Sequence, residues 1–151
     1  MARAKADPPN HRQSILFLCT GNSCRSQMAE GWGRFLMGES FDFYSAGVLK
    51  KGLNPKAVKA MQEAGVDISS QTSKLIAELP IQTFDFVISL CENAGENCPF
   101  HPSKVKMVHH PFDDPPAMEK PEASEEENLK NYRRVRDEIR EFVKGIPGNL
   151  K

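Results

Sequence analysis

The feature that most constrains this chain is an alternation between two hydrophobic periods. Four short apolar-rich runs, "SILFLC" (14–19), "FDFYSAG" (41–47), "FDFVISL" (84–90) and "KVKMVHH" (104–110), are separated by stretches with helical spacing. The first run is almost continuously apolar, as in a strand buried on both faces of a parallel sheet. After it, Met28, Trp32, Phe35 and Leu36 fall at i, i+4, i+7 and i+8, one stripe of a helix with Gly38 as its stop. Asn54 before Pro55 reads as the cap and first turn of a second helix, with Val58 and Met61 on its stripe and Gly65 at its end. A short helix is expected over 73–78. Ser124 and Glu127 form a capping box before a long amphipathic helix carried by Leu129, Tyr132, Val135, Ile139, Phe142 and Val143. The alternation predicts an α/β fold, a three-layer arrangement with a four-stranded parallel sheet flanked by helices. Such sheets bind ligands outside the carboxyl ends of their strands. Cys19 and Cys91 stand at two of those ends.

Composition narrows the function. A chain of 151 residues suits one domain. We assign that domain to 14–151, with "MARAKADPPNHRQ" (1–13) as a mostly disordered arm lacking the apolar core of a secretory signal. Lys plus Arg and Asp plus Glu are both 20, so no basic excess points to nucleic acid or a membrane surface. No apolar stretch nears the roughly 20 residues of a membrane span. The expectation is a cytoplasmic protein with neither nucleic acid nor membrane as partner. In a reducing compartment, four cysteines are more often catalytic thiols or metal ligands than structural disulfides. The gaps, four residues from Cys19 to Cys24 and six from Cys91 to Cys98, do not both fit the C-x2-4-C pairs of zinc sites. His101, His109 and His110 add no Cys/His pattern, so no metal is expected.

The segment Cys19-Thr20-Gly21-Asn22-Ser23-Cys24-Arg25 joins the first strand to the first helix. A strand, a tight turn and a helix N-terminus direct backbone N–H groups onto one anion-sized space. No Gly-Lys-Ser/Thr follows, so this is not a Walker loop. Instead a cysteine opens the turn and an arginine closes it. The dipoles and the guanidinium favour Cys19 as a thiolate, and the planar fork of Arg25 suits two oxygens of a tetrahedral oxyanion. Thiolate, N–H cradle and arginine clamp together describe nucleophilic attack on a phosphate-like centre.

The wider pattern identifies a resemblance. "CTGNSCRS" with a downstream "FDDPP" is similar to the low-molecular-weight tyrosine phosphatase fold. "LCTGNSCRSQMAEGW", "YSAG", "NPKAVKAM", "DISSQTS", "LCENAGENCPF", "FDDP" and "RRVRDEI" resemble the thioredoxin-coupled arsenate reductases built on that fold, from about Ser14 to about Val143. The active-site motif alone leaves phosphatase and reductase open; the distal cysteine pair points to the reductase. The resemblance implies Cys19 as nucleophile, and Arg25 with the loop N–H groups of Thr20, Gly21, Asn22, Ser23 and Cys24 as oxyanion ligands. It implies Ser26 as a hydrogen-bond partner of the Cys19 thiolate, Asn22 as keeper of the loop's shape, and Asp114 as the general acid, with Asp113 its rival for that role. It further implies that Cys91 resolves the Cys19–arsenic bond by forming a disulfide, that Cys98 then attacks Cys91, and that thioredoxin reduces the resulting pair, with no bound cofactor. The third strand is expected beside the first, at about 4.8 Å, so a short movement brings Cys91 to disulfide distance. A helix over 91–98 would have to unwind to join Cys91 to Cys98, since seven residues rise about 10.5 Å along its axis. Cys24 reads as a structural thiol. Some members of that family bind potassium; Asn22, Glu30, Ser45 and Thr72 match its ligand positions, but Lys74 stands where an acid would complete the set.

Overall fold

The computed structural model describes residues 13–81, 83–90, 106–146 and 148. The described elements are four strands, β1 (Gln13–Cys19), β2 (Phe41–Gly47), β3 (Phe86–Ser89) and β4 (Lys106–His109), with helix α1 (Arg25–Met37) after β1, α2 (Pro55–Glu63) after β2 and α3 (Glu125–Lys144) after β4. Single 3-10 turns lie at Ile76–Glu78 and Pro115–Met118. All strand pairs are parallel, and the sheet order is β2-β1-β3-β4. The α/β expectation holds.

The continuous apolar run of β1 has a direct cause. Ile15 and Phe17 point into one core with Met28 and Trp32 of α1, Met61 of α2 and Leu129, Tyr132 and Ile139 of α3. Leu16 and Leu18 point the opposite way, against Ala46, Leu79, Phe84 and Val87. Successive side chains of a strand alternate faces, so a strand inside both cores can carry no polar residue there. Among the described residues, the three helices cover one face, while the 3-10 turn at Ile76–Glu78 and its flanks cover the other. Trp32 Nε1 donates to the Arg136 carbonyl at 3.1 Å, locking α1 to α3. No described helix is long and apolar enough to cross a membrane.

Several local expectations shift. Gln13 pairs with Phe41 in β1, so the sheet starts one residue inside the expected arm; residues 1–12 lie outside the described set. Asn54 caps α2 as expected, its Oδ1 accepting the Lys56 and Ala57 N–H groups. Gly65 takes φ 89°, the left-handed stop, whereas Gly38 stays right-handed at φ −63°. Phe35 and Leu36, expected on the apolar stripe, are 60% and 38% exposed, because the last turn of α1 runs past the core. The helix expected over 73–78 contracts to the turn at Ile76–Glu78, since Leu75 bridges to Gly47 and Gly47 N–H donates to the Lys74 carbonyl at 2.8 Å. Ser124 Oγ accepts Glu127 N–H at 3.1 Å, and Glu125, Glu126 and Glu127 occupy the electropositive first turn of α3.

Candidate active site

The loop from Thr20 to Cys24 leaves the centre of the sheet, where β1 lies between β2 and β3, and ends as the N-terminus of α1. Its carbonyls are held in turn. Thr20 O accepts Leu49 N–H at 2.9 Å, Gly21 O accepts Lys51 N–H at 3.0 Å, and Ser23 O accepts Asn54 N–H at 3.1 Å. Asn22 O accepts Gln27 Nε2 at 3.0 Å. In a trans peptide the carbonyl and the following N–H point to opposite sides. Pinning these four carbonyls therefore turns the N–H groups of Gly21, Asn22, Ser23 and Cys24 away from the pins. Such a run of N–H groups at a helix N-terminus makes an anion nest.

Asn22 is the one described non-glycine residue with positive φ, at 47°. That conformation costs about 1–2 kcal/mol, and a web of side-chain bonds holds it. Asn22 Nδ2 donates to Ser26 Oγ at 2.8 Å and Ser45 Oγ at 3.0 Å, while its Oδ1 accepts Lys74 N–H at 2.6 Å and Gln27 Nε2 at 3.1 Å. Each such bond contributes about 1 kcal/mol net, so together they outweigh the strain. Gly47, paired with Cys19 across the sheet, has to be glycine: a Cβ there would lie 2.7 Å from Asn22 N and 2.9 Å from Thr20 O.

A cavity of about 110 Å³ opens against the loop, lined by Cys19, Thr20, Gly21, Ser23, Cys24 and Arg25, with Lys51, Asn54, Asp114 and Pro116 around it. Cys19 is buried. Arg25 is only 6% exposed. Its Nη1 donates to the Phe112 carbonyl at 3.0 Å and its Nη2 lies 3.6 Å from Asp114 Oδ1. Its Nε is buried without a partner among the described residues. A buried guanidinium donor without a partner is costly unless a ligand completes it. Asp113 turns away to pair with Arg134 of α3 at 3.0 Å, so of the two adjacent acids only Asp114 lines the cavity. Cys24 also lines it, yet burial pushes its thiol pKa up, with the Asp114 charge adding to the effect.

The expected resolving residues, Cys91 and Cys98, lie outside the described residues. The last described residue before them, Leu90, donates its N–H to Leu18 O at 2.9 Å.

The other potassium-ligand positions adjoin the Asn22 web. Ser45 Oγ donates to Glu30 Oε1, Arg34 Nη2 pairs with Glu30 Oε2 at 2.9 Å, and Lys74 Nζ donates to Thr72 O at 2.6 Å, 3.9 Å from Glu30 Oε1. Burial pushes the Lys74 pKa down, with Glu30 opposing it. One carboxylate thus already faces two cations, and the ammonium takes up the Thr72 carbonyl. These residues do not fit a further bound cation.

Sequence reasoning missed Gln27 and the second role of Asn54, whose Nδ2 donates to Tyr132 Oη at 3.2 Å while its backbone holds Ser23. The only signal for Gln27 was its position, three residues past the helix cap beside apolar Met28.

Sequence and fold both match known proteins. Residues 14–151 match the low molecular weight phosphotyrosine protein phosphatase family. The chain is 52% identical over 134 residues to the arsenate reductase of Halalkalibacterium halodurans, covering 89% of this chain and 94% of that one. It is 53% identical over 133 residues to the arsenate reductase of Bacillus licheniformis, covering 88% and 94%. A solved arsenate reductase in its phosphate-binding state superposes with a TM-score of 0.72 at 32% identity, covering 92% of this chain and 99% of that one. The chain belongs to the low-molecular-weight phosphotyrosine protein phosphatase family. Within it, the relatives just described are arsenate reductases.

Proposed function

We propose that the protein reduces arsenate to arsenite through a covalent Cys19 thiol–arsenate intermediate and a Cys19/Cys91/Cys98 disulfide relay regenerated by thioredoxin. The cradle, a buried thiol, a nest of N–H groups and a buried arginine with an unpaired donor around one cavity, supports attack on a tetrahedral oxyanion, and the arsenate reductase relatives at 52% and 53% identity support arsenate as that oxyanion.

In this reading Arg25 and the loop N–H groups hold the oxyanion, and the Cys19 thiolate attacks arsenic(V). Asp114 gives its proton to the leaving oxygen, which departs as water. The Cys91 thiolate then attacks Cys19 sulfur. The S–S bond forms as the S–As bond breaks, the electron pair stays on arsenic, and arsenite leaves as arsenic(III). Cys98 attacks Cys91, frees the Cys19 thiolate and leaves the Cys91–Cys98 disulfide, which a thioredoxin dithiol reduces. Both electrons come from thiols, so the reaction needs no bound cofactor. Ser26, fully buried and bonded to Asn22, supports the cradle from within α1.

The same cradle suits a phosphoester, and the family gives a second reading, a low-molecular-weight tyrosine phosphatase. One assay separates the two. Purified protein with thioredoxin, thioredoxin reductase and NADPH should consume NADPH only when arsenate is added, and Cys98→Ser should stop that consumption. No arsenate-dependent loss, together with rapid hydrolysis of an aryl phosphate, would establish the phosphatase instead. Normal turnover by Cys98→Ser would leave reduction intact and remove Cys98 from the relay.

A further inference from the structure

We propose that Gln27 is a positioning residue for the oxyanion cradle: its buried amide fixes the peptide between Asn22 and Ser23 and so aims the Ser23 N–H at the bound anion. The proposal rests on the cradle reading above.

The argument comes from how the loop is pinned. Thr20 O, Gly21 O and Ser23 O each accept a backbone N–H from the β2–α2 connection. No side-chain substitution removes those donors, short of proline. Asn22 O is different. Among the described residues its partner is a side chain, the Gln27 amide, at 3.0 Å. It is also the carbonyl of the loop's one left-handed residue, where the peptide has the most reason to turn over.

The amide is itself held in one orientation. Gln27 is fully buried. Its Nε2 lies within 3.1 Å of three acceptors, Asn22 O, Asn22 Oδ1 and Thr72 O. Its Oε1 accepts Gln71 Nε2 at 2.8 Å. A flipped amide would set oxygen against three oxygens and nitrogen against a donor, so the nitrogen is locked toward the loop. Two N–H hydrogens serve three acceptors, which leaves the group fully used and with no alternative geometry. The Ser23 N–H lies on the opposite side of that peptide, and Ser23 lines the cavity. Gln27 touches neither thiol nor anion. It acts through one peptide plane.

Two readouts test this without reductase turnover. The first is the phosphate concentration that half-protects Cys19 from iodoacetamide, mapped by peptide mass spectrometry. The second is the pH midpoint of Cys19 alkylation without phosphate. Gln27→Met keeps the length and removes the donor. It should raise the half-protecting concentration roughly tenfold, as expected when one donor of an anion nest is misaimed. It should also move the alkylation midpoint to higher pH, because a thiolate that loses an N–H partner is less favoured. Gln27→Glu places a carboxylate against three oxygens and should be worse on both counts. A purely structural role would lower the melting temperature and leave both readouts in place; that result in the folded variants overturns the proposal. If both variants fail to fold, Gln71→Met, which removes the donor to Gln27 Oε1 and to the Gln27 carbonyl and so frees the amide to rotate, should shift the same readouts in the same direction by less. Wild-type values for a folded Gln71→Met would then overturn it. Failure of arsenate reduction in the wild-type protein would instead count against the proposed function and leave these phosphate readouts unaffected.

Discussion

The cavity has a floor and a wall, and they are built by different rules. The floor is the loop around Asn22, where Asn22, Ser26 and Gln27 are fully buried and bonded to one another and to Ser45, Thr72 and Lys74 over 2.6–3.1 Å. The wall is Asp114, its side chain 41% exposed, with Arg25 Nη2 at 3.6 Å, beyond a direct hydrogen bond. Behind the wall, the 3-10 turn at Pro115–Met118 ends at Glu119, which bonds to Tyr132 Oη and Lys56 Nζ. The difference matches two demands. An anion nest is useful only if its donors are aimed before the anion arrives. A general acid needs a proton and contact with solvent to recover it, so a half-exposed carboxyl serves.

The sharpest way to break the comparison is to remove the proposed nucleophile, Cys19. Cys19→Ser should abolish both arsenate reduction and any aryl phosphate hydrolysis, while still binding phosphate. In the wild-type protein, alkylation near neutral pH should label Cys19 and spare Cys24, whose thiol pKa burial pushes up; labelling of Cys24 in the folded protein would contradict that. The wall comes next. Asp114→Asn should slow the step that releases the leaving oxygen by about 10²–10⁴-fold, with the half-protecting phosphate concentration little changed. Asp113→Asn should do far less, because its partner is Arg134 on α3. A larger loss from Asp113→Asn would move the acid by one residue. Gly47→Ala tests the floor's rigidity. Its Cβ would meet only backbone atoms, at 2.7–2.9 Å, so we expect a stability loss of about 1–3 kcal/mol with weaker phosphate protection. A melting temperature equal to wild type would show that the floor can give.

The smallest effect concerns pH and the wall. The Tyr132 hydroxyl, and then Lys56, hold the Glu119 carboxyl below its usual range. A carboxyl with a lowered folded pKa adds stability that is fully present above its unfolded value, 4.5 for Glu119, and is lost as pH falls through the folded one. Tyr132→Phe should therefore weaken the dependence of melting temperature on pH below about 4.5, while changing the floor's phosphate readout little. An unaltered acid limb would show that Tyr132 does not set the Glu119 pKa.

Much of this was legible in residue order. The apolar run of β1 predicted a strand buried on both faces, and Asn54-Pro55 predicted the start of α2, because caps and strand periods are local and act within a few residues. The cysteine, the turn and the arginine marked the cradle for the same reason: strand, turn and helix N-terminus are contiguous. Tertiary structure decided the rest. It buried Gln27 and Glu30 on the face of α1 that periodicity leaves polar, because the segment around Gln71–Lys74 covers that face, and it left Phe35 outside, because α1 outruns the core. It separated Asp113 from Asp114, adjacent in sequence but turned to Arg134 and to Arg25. It also left the Asn22 carbonyl, among the described residues, with a side-chain partner alone, where its neighbours each have a backbone one. Sequence order determines which groups the chain carries and the local turns they favour. Which groups face each other across 45 or 87 residues depends on how the sheet and helices pack, since only packing brings such distant segments into hydrogen-bond range, as it does for Gln27 with Thr72 and Arg25 with Phe112.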